Sequence, residues 1–246
     1  FLLLVSVALW VMRSEWGHTD ARTPHTTSEL RLVLGDPVAR RLLLVALANS
    51  APVAVSSTLF LFFVEDRLDL PGWEGAFLLL FFLSAAVAAP MWGKLAEAYG
   101  ARRVLLSGMV LAIAAFGYAI MLGSGDWVAF AVICVASGIA LGADMTLLPA
   151  LFATRLAQIA PGAAEGFSLW SFVSKMTLAF AAVALLPLLE LSGYQPGQGN
   201  TEQALVSLSL LYGAVPCLLK LIAIALLAST PDRSVAPMST PIRKGA

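Results

Sequence analysis

Residues 165–191 read EGFSLWSFVSKMTLAFAAVALLPLLEL, and between Glu165 and Glu190 the only charged side chain is Lys175. A helix needs about 20 predominantly apolar residues to cross the hydrocarbon of a bilayer. This run meets that length without the polar face of a half-buried soluble helix, so it reads as a membrane span. Lys175 lies about ten residues from the polar end of the run, roughly 13–15 Å deep at about 1.5 Å rise per residue. A stray charge there costs at least about 2.5–3.5 kcal/mol, and a lysine stem covers only part of the distance to the headgroups. A protein interior or a watery cavity must receive the ammonium, which points to a solute or ion path.

The same pattern recurs along the chain. The sequence is 59% hydrophobic and 12% charged, with mean hydropathy +0.86, far from the roughly 25% charge of soluble proteins. Full spans are expected at Arg41–Val64, Gly75–Leu95, Val104–Leu122, Trp127–Ala153, Phe167–Leu191 and Ala204–Ala228. Residues 1–12 are apolar but too short to cross, and lack the cationic start and small-residue cleavage site of a signal peptide. They are read as the end of a truncated transmembrane helix, so the chain is expected to be a fragment. A polar linker (13–39) follows, then a six-helix bundle (40–230) and a polar, proline-bearing tail (231–246) expected to be disordered. Within the linker, Ser28–Leu34 reads as a short amphipathic helix on the membrane surface, capped by Ser28.

Charge fixes the expected orientation. With Arg13 on the cytoplasmic side and the spans alternating, inner segments hold Arg13, Arg22, Arg31, Arg40, Arg41, Lys94, Arg102, Arg103, Arg155, Arg233, Arg243 and Lys244, whereas outer loops hold only Arg67. That asymmetry is the positive-inside pattern, and it places the linker and tail in the cytoplasm of a cell (inner) membrane protein. Cys134 and Cys217 both fall inside spans, where packing is the default. His18 and His25 lie in a polar loop, and no Cys/His cluster has metal-ligand spacing. No nucleophile constellation, phosphate loop or nucleotide motif is present, so neither enzyme activity nor ATP-driven pumping is expected, and neither a metal site nor a nucleic-acid partner.

The loop Gly93-Lys94-Leu95-Ala96-Glu97-Ala98-Tyr99-Gly100-Ala101-Arg102-Arg103 resembles the G-x-L-a-D-r-x-G-r-r signature of the major facilitator superfamily. Physically, Gly93 and Gly100 permit close helix approach and a tight loop, while Glu97, Arg102 and Arg103 can latch helix ends and release them when the halves rock. Glu97 stands where aspartate is usual. A second resemblance lies in Gly142–Ala150 and in Glu165-Gly166-Phe167-Ser168 with Phe172, Lys175 and the Leu191–Tyr194 turn. These resemble the tenth and eleventh spans of the glycoside–pentoside–hexuronide:cation symporters, the melibiose-permease-like carriers. The resemblance implies the C-terminal half of an all-α, twelve-helix transporter, with an N-terminal six-helix half missing. It implies that Lys175, Ser171 and Ser168 face a central sugar and cation site. Where that family carries an acidic run after the proline, this chain has Ala153-Thr154-Arg155-Leu156-Ala157-Gln158.

Helical spacing gives its own reading. Ser168, Ser171 and Lys175 fall at i, i+3 and i+7 on one face, with Phe172 at its edge and Trp170 on the other side. Hydroxyls, a cation and a ring suit a polyhydroxylated ligand; the alternative to that favoured reading is a lysine that only ties helices together through backbone carbonyls. Asp144 sits at the same depth one span earlier, so an Asp144–Lys175 pair is expected, with structural and transport roles both open. Asn49 and Ser56 share a face beside Pro52. Lys220 can snorkel to the headgroups, and Gly138-x-x-x-Gly142 favours close packing. The expected function is alternating-access symport of a sugar or glycoside with Na⁺ or H⁺. The alternatives are a proton-coupled carrier of a drug or organic acid, or a non-transporting membrane sensor. Partners are a small-molecule solute, the bilayer and the missing half.

The basic asymmetry predicts that single cysteines placed at Thr23 and Ser239 resist impermeant thiol reagents in intact cells and react after lysis. Labelling of both in intact cells would invert the orientation.

Overall fold

A computed structural model describes residues 26–159, 165–197 and 199–230. They form α1 (Thr26–Gly35), α2 (Pro37–Phe62, continued by a π-turn over Phe63–Arg67), α3 (Glu74–Tyr99), α4 (Ala101–Ala119), α5 (Trp127–Ile159), α6 (Glu165–Leu191) and α7 (Glu202–Ala228). There is no strand among the described residues. Six helices, α2 to α7, are long and apolar enough to cross a membrane, which is the all-α polytopic architecture. The expected helix end over 1–12, linker residues 13–25 and the tail over 231–246 lie outside the described residues.

Local chemistry sets the helix ends. Asp36 caps α2, its Oδ1 accepting from the Ala39 N–H at 2.7 Å, and Pro37 occupies the first turn, where its missing N–H costs nothing. The helix therefore begins before Arg41, the start read from hydropathy alone. α1 runs over Thr26–Gly35, so Ser28 lies within the helix rather than ahead of it. Between α3 and α4 the chain turns at Gly100 with φ +88°, a conformation that favours glycine; this is the tight loop expected of that residue. Thr201 caps α7 by accepting from the Ala204 N–H.

Order along the chain is not order in space. α5 packs against α3 and α4, whereas α2 packs against α7 and α6. α2 and α5 are the most buried spans, and α3 and α6 show the widest apolar surfaces. Without a hydrophobic driving force inside lipid, close van der Waals contact holds such helices together. A Cβ added at Gly138 would lie 2.3 Å from the Phe81 carbonyl oxygen, and one at Gly142 would lie 2.7 Å from that of Ala85. The pair is what lets α3 and α5 touch backbone to backbone. Gly93, expected to do the same, has no neighbour within 4 Å of an added Cβ.

Two apolar clusters fill the bundle. One, around Leu42, Trp92, Leu105 and Phe152, sits toward the Pro37 end of α2; the other, around Phe63, Phe77, Phe130 and Tyr212, sits toward its Arg67 end. The second is aromatic, with Tyr212 stacked on Phe63 at 4.2 Å and Phe77 edge-on to Phe130 at 4.9 Å.

Gly138→Val should push α3 off α5 and abolish the monodisperse folded peak in detergent chromatography, while Gly93→Val should elute like the parent. Equal elution of the two variants would remove the close contact from the account of the fold.

Candidate functional site

At the junction of the two clusters, three helices bring polar side chains together. Lys220 of α7 is only 2% exposed. Its ammonium donates to Asn49 Oδ1 of α2 at 2.5 Å and forms an ion pair with Asp144 Oδ2 of α5. The Asp144–Lys175 pair expected from depth is therefore not formed; Lys220 takes that place. Equal depth on consecutive spans was the wrong criterion, because α6 docks on α2 through its other side, where Trp170, Ser174, Thr177, Leu185 and Leu189 are shielded. Nor does Lys220 snorkel to the headgroups. Paired inside the bundle, its charge avoids the cost of lying bare in hydrocarbon.

Asp144 has a second oxygen. Oδ1 is buried and has no hydrogen-bond partner among the described residues. Asp144 and Asn49 line a cavity of about 270 Å³ together with Ser50, Ser57, Trp170 and Ser174, whereas Lys220 is not part of its wall. Ser50 and Ser174 spend their hydroxyl hydrogens on carbonyls of their own helices, Ala46 at 2.6 Å and Trp170 at 3.1 Å. Their oxygen lone pairs remain for a guest. Trp170 is fixed against Phe152, ring centroids 5.1 Å apart. The wall is thus rich in acceptors, with one flat apolar face. Toward the Arg67 end of α2, Ser57 also borders a second cavity of about 320 Å³, walled by Phe60, Phe81, Phe82, Phe116 and Tyr212.

Sequence reasoning reached Asp144 and Asn49 but missed Lys220, Ser50, Ser57, Trp170 and Ser174 as wall or anchor. One signal was present: Trp170 and Ser174 are four residues apart and share a helix face, opposite the one that carries Lys175. Ser168, Ser171, Phe172 and Lys175 do share a face, as their spacing predicts, and they border an open groove with Phe167. That face points out of the described bundle; Lys175, Ser168 and Ser171 are exposed, and Lys175 makes no ion pair among the described residues.

The ends of the helices are tied by charge. Arg155 grips Asp36 with two bonds, Nε to Oδ1 at 3.0 Å and a terminal nitrogen to Oδ2 at 2.6 Å. This guanidinium holds the Asp36 carboxyl below its ordinary value of 3.8, against the opposing effect of burial. Arg155 belongs to the stretch that replaces the acidic run of the melibiose-permease-like carriers. Arg41 and Arg102 donate to the Ser229 and Ala228 carbonyls at 2.7 and 2.5 Å, clasping the C-terminal end of α7, where cations are favoured. Of the expected latch residues, Arg102 thus engages a helix end, while Glu97 and Arg103 are exposed and form no ion pair among the described residues. At the opposite end Arg67 bonds the Leu122 carbonyl and Glu202, both within 2.9 Å, and the Tyr194 hydroxyl donates to Asp66 Oδ2. Burial and that carboxylate push the Tyr194 phenol above its ordinary value.

Removing one member of a buried ion pair strands the other, at about 3–5 kcal/mol. Lys220→Ala should therefore lower the thermal stability of the purified protein sharply, and Lys220→Ala/Asp144→Ala should recover much of the loss. Lys175→Ala should leave it unchanged. A double variant no more stable than Lys220→Ala would show that the two charges are not a pair.

No curated protein matches the chain. The family model of the MFS/sugar transport proteins matches it over residues 1–231, in agreement with the resemblances carried by Gly93–Arg103 and by Gly142–Tyr194. With that match spanning the whole six-helix bundle, the chain belongs to the MFS/sugar transport protein family and is a multi-pass membrane transporter.

Proposed function

We propose that the protein moves a sugar-like, polyhydroxylated solute across the cell's inner membrane together with a cation, by alternating access between two six-helix halves. The described bundle is one of these halves, and its linker and tail are cytoplasmic. The observation that carries the reading is Asp144 Oδ1, a buried acceptor without a partner that borders a cavity walled by serine hydroxyls, Asn49 and the Trp170 ring. A sugar offers hydroxyl donors to such acceptors and an apolar C–H face to the ring. An organic acid would bring its negative charge to a carboxylate, so the chemistry of this wall favours a neutral solute over an anionic one.

The coupling ion at this cluster is a proton in our reading. The Lys220 ammonium beside Asp144 repels a metal cation at that carboxylate. A Na⁺ site would belong to the other half. Lys175 is placed in the same scheme by cost: an ammonium exposed at mid-span is expensive against lipid. The α6 face with Ser168, Ser171 and Lys175 therefore turns toward the second half, lining the shared solute path. Glu97 and Arg103, exposed beside the Gly100 turn, are the groups free to pair across the halves in one state and separate in the other.

The test is uptake of labelled glucose, galactose and xylose by the full-length protein in proteoliposomes. An imposed pH gradient should drive accumulation of at least one sugar. Asp144→Asn should reduce that accumulation by about tenfold or more, in the range lost when a charged hydrogen bond is removed. Accumulation at the parent rate by Asp144→Asn would take Asp144 out of the mechanism, and absence of counterflow with every sugar would favour a non-sugar solute or a sensor.

A further inference from the structure

Asp144 and Lys220 form one ion pair, yet only its carboxylate end faces the polar cavity. Among the described residues Asp144 is the one charged side chain in that wall, and Lys220 lies outside it. Helix packing accounts for the direction. α7 is held against α4, where a Cβ added at Gly213 would lie 2.7 Å from the Phe116 carbonyl oxygen, and it packs along α2 as well. The Lys220 stem is therefore fixed among helices, and its ammonium reaches Asp144 Oδ2 and Asn49 Oδ1 from behind the wall.

The two charges act on a guest with opposite signs and unequal reach. Asp144 Oδ1 is buried and has no partner among the described residues, so a solute group that meets it has given up its water. An anionic group there faces the carboxylate first, and Coulomb repulsion adds to the cost of lost hydration. A cationic group is attracted by Asp144 but meets the Lys220 ammonium behind the same carboxylate. At hydrogen-bond distance from Oδ1 a guest lies roughly twice as far from that ammonium as from the carboxylate, so about half of the attraction is cancelled. The remainder does not offset the desolvation of a cation. A neutral hydroxyl escapes both penalties, since it donates to Oδ1 and carries no charge for Lys220 to oppose. Lys175 does not enter this balance: it borders the groove on the other face of α6 from Trp170 and Ser174.

We infer that Lys220 is a specificity-determining residue of the solute site, acting through Asp144. The pair turns its negative end to the cavity and keeps its positive end behind it. Anionic solutes are rejected by the first charge and cationic solutes by the second, which leaves the site to neutral, hydroxyl-bearing ones. The inference rests on the reading of the Asp144 cavity as the solute site, and it assigns the charge selectivity of that site to a positioning residue that does not touch the solute. Asn49 suits either direction of the pair, because its amide offers both an acceptor and a donor.

The experiment measures binding of glucose and galactose, of their uronates, of the neutral uronamides that share the uronates' shape, and of their 2-amino sugars. It uses the full-length protein in lipid nanodiscs at about pH 6, where the uronates are ionised and the amines protonated. In the parent protein a uronate should bind about tenfold or more weakly than its uronamide, and an amino sugar about tenfold or more weakly than its parent sugar. Exchange of the two charges in Asp144→Lys/Lys220→Asp should preserve the folded protein and invert the first order, the uronate now binding more tightly than the uronamide. A pair that serves only the fold would leave that order as it was, and this result would overturn the inference. Should the exchanged variant fail to fold, Asp144→Asn/Lys220→Met decides: removal of both charges should bring each ratio to within about threefold of unity, and unchanged ratios would overturn the inference. In the parent, equal binding of a neutral sugar and either of its charged analogues would also overturn it, while leaving the polar-solute reading standing. Failure of every sugar and analogue to bind would overturn both.

Discussion

The ammonium of Lys220 is the constraint around which the bundle is arranged. A cation that far inside a span has to be met by oxygens, and those oxygens come from two other helices, Asp144 of α5 and Asn49 of α2. Because α2 also packs on α6 and α5 also packs on α3 and α4, a contact among three side chains sits at the centre of the six-helix arrangement. Apolar surfaces slide past one another at little cost in lipid, which is as apolar as they are. A buried ion pair fixes depth and rotation as well as proximity. In this bundle the register of α7 against α2 and α5 is set where the two apolar clusters meet.

The same arrangement divides labour within a single carboxylate. Oδ2 of Asp144 is consumed in holding the bundle, and Oδ1 is left for the cavity. In the proposed function, structure and solute recognition meet in this one residue. Lys220, behind the wall, pairs with that carboxylate without adding its own cation to the cavity surface. Asn49 contributes by both routes, accepting from Lys220 and lining the cavity.

Much of this was legible in the sequence, for stated physical reasons. Spans declare themselves by length and hydropathy, and a charge inside one, such as Asp144, declares a cost that must be offset. Gly138 and Gly142 announced a close approach. The partner of Asp144 was not legible, because two mid-span lysines competed for it and depth alone cannot say which helices are neighbours. Neighbourhood is decided by packing of non-consecutive helices, α2 with α7 and α5 with α3, and that lives in the sum of many weak contacts. Trp170 and Ser174 were missed for a related reason: Lys175 drew attention to its own face of α6, while the opposite face docks on α2 and borders the cavity. The Asp36-Pro37 cap was present in the sequence but was overshadowed by the hydropathy signal four residues later.

The uneven grip on the helices has a mechanical consequence. α3 and α5 meet backbone to backbone at Gly138 and Gly142, so they behave as one stiff plank. α6 rests mainly on α2, and of its residues Trp170, Ser174 and Leu178 border the polar cavity. Asp144 of that plank and Trp170 of α6 face the same chamber, so its width is set by the seat of α6 on α2 and by the Phe152 ring of α5 that Trp170 packs against.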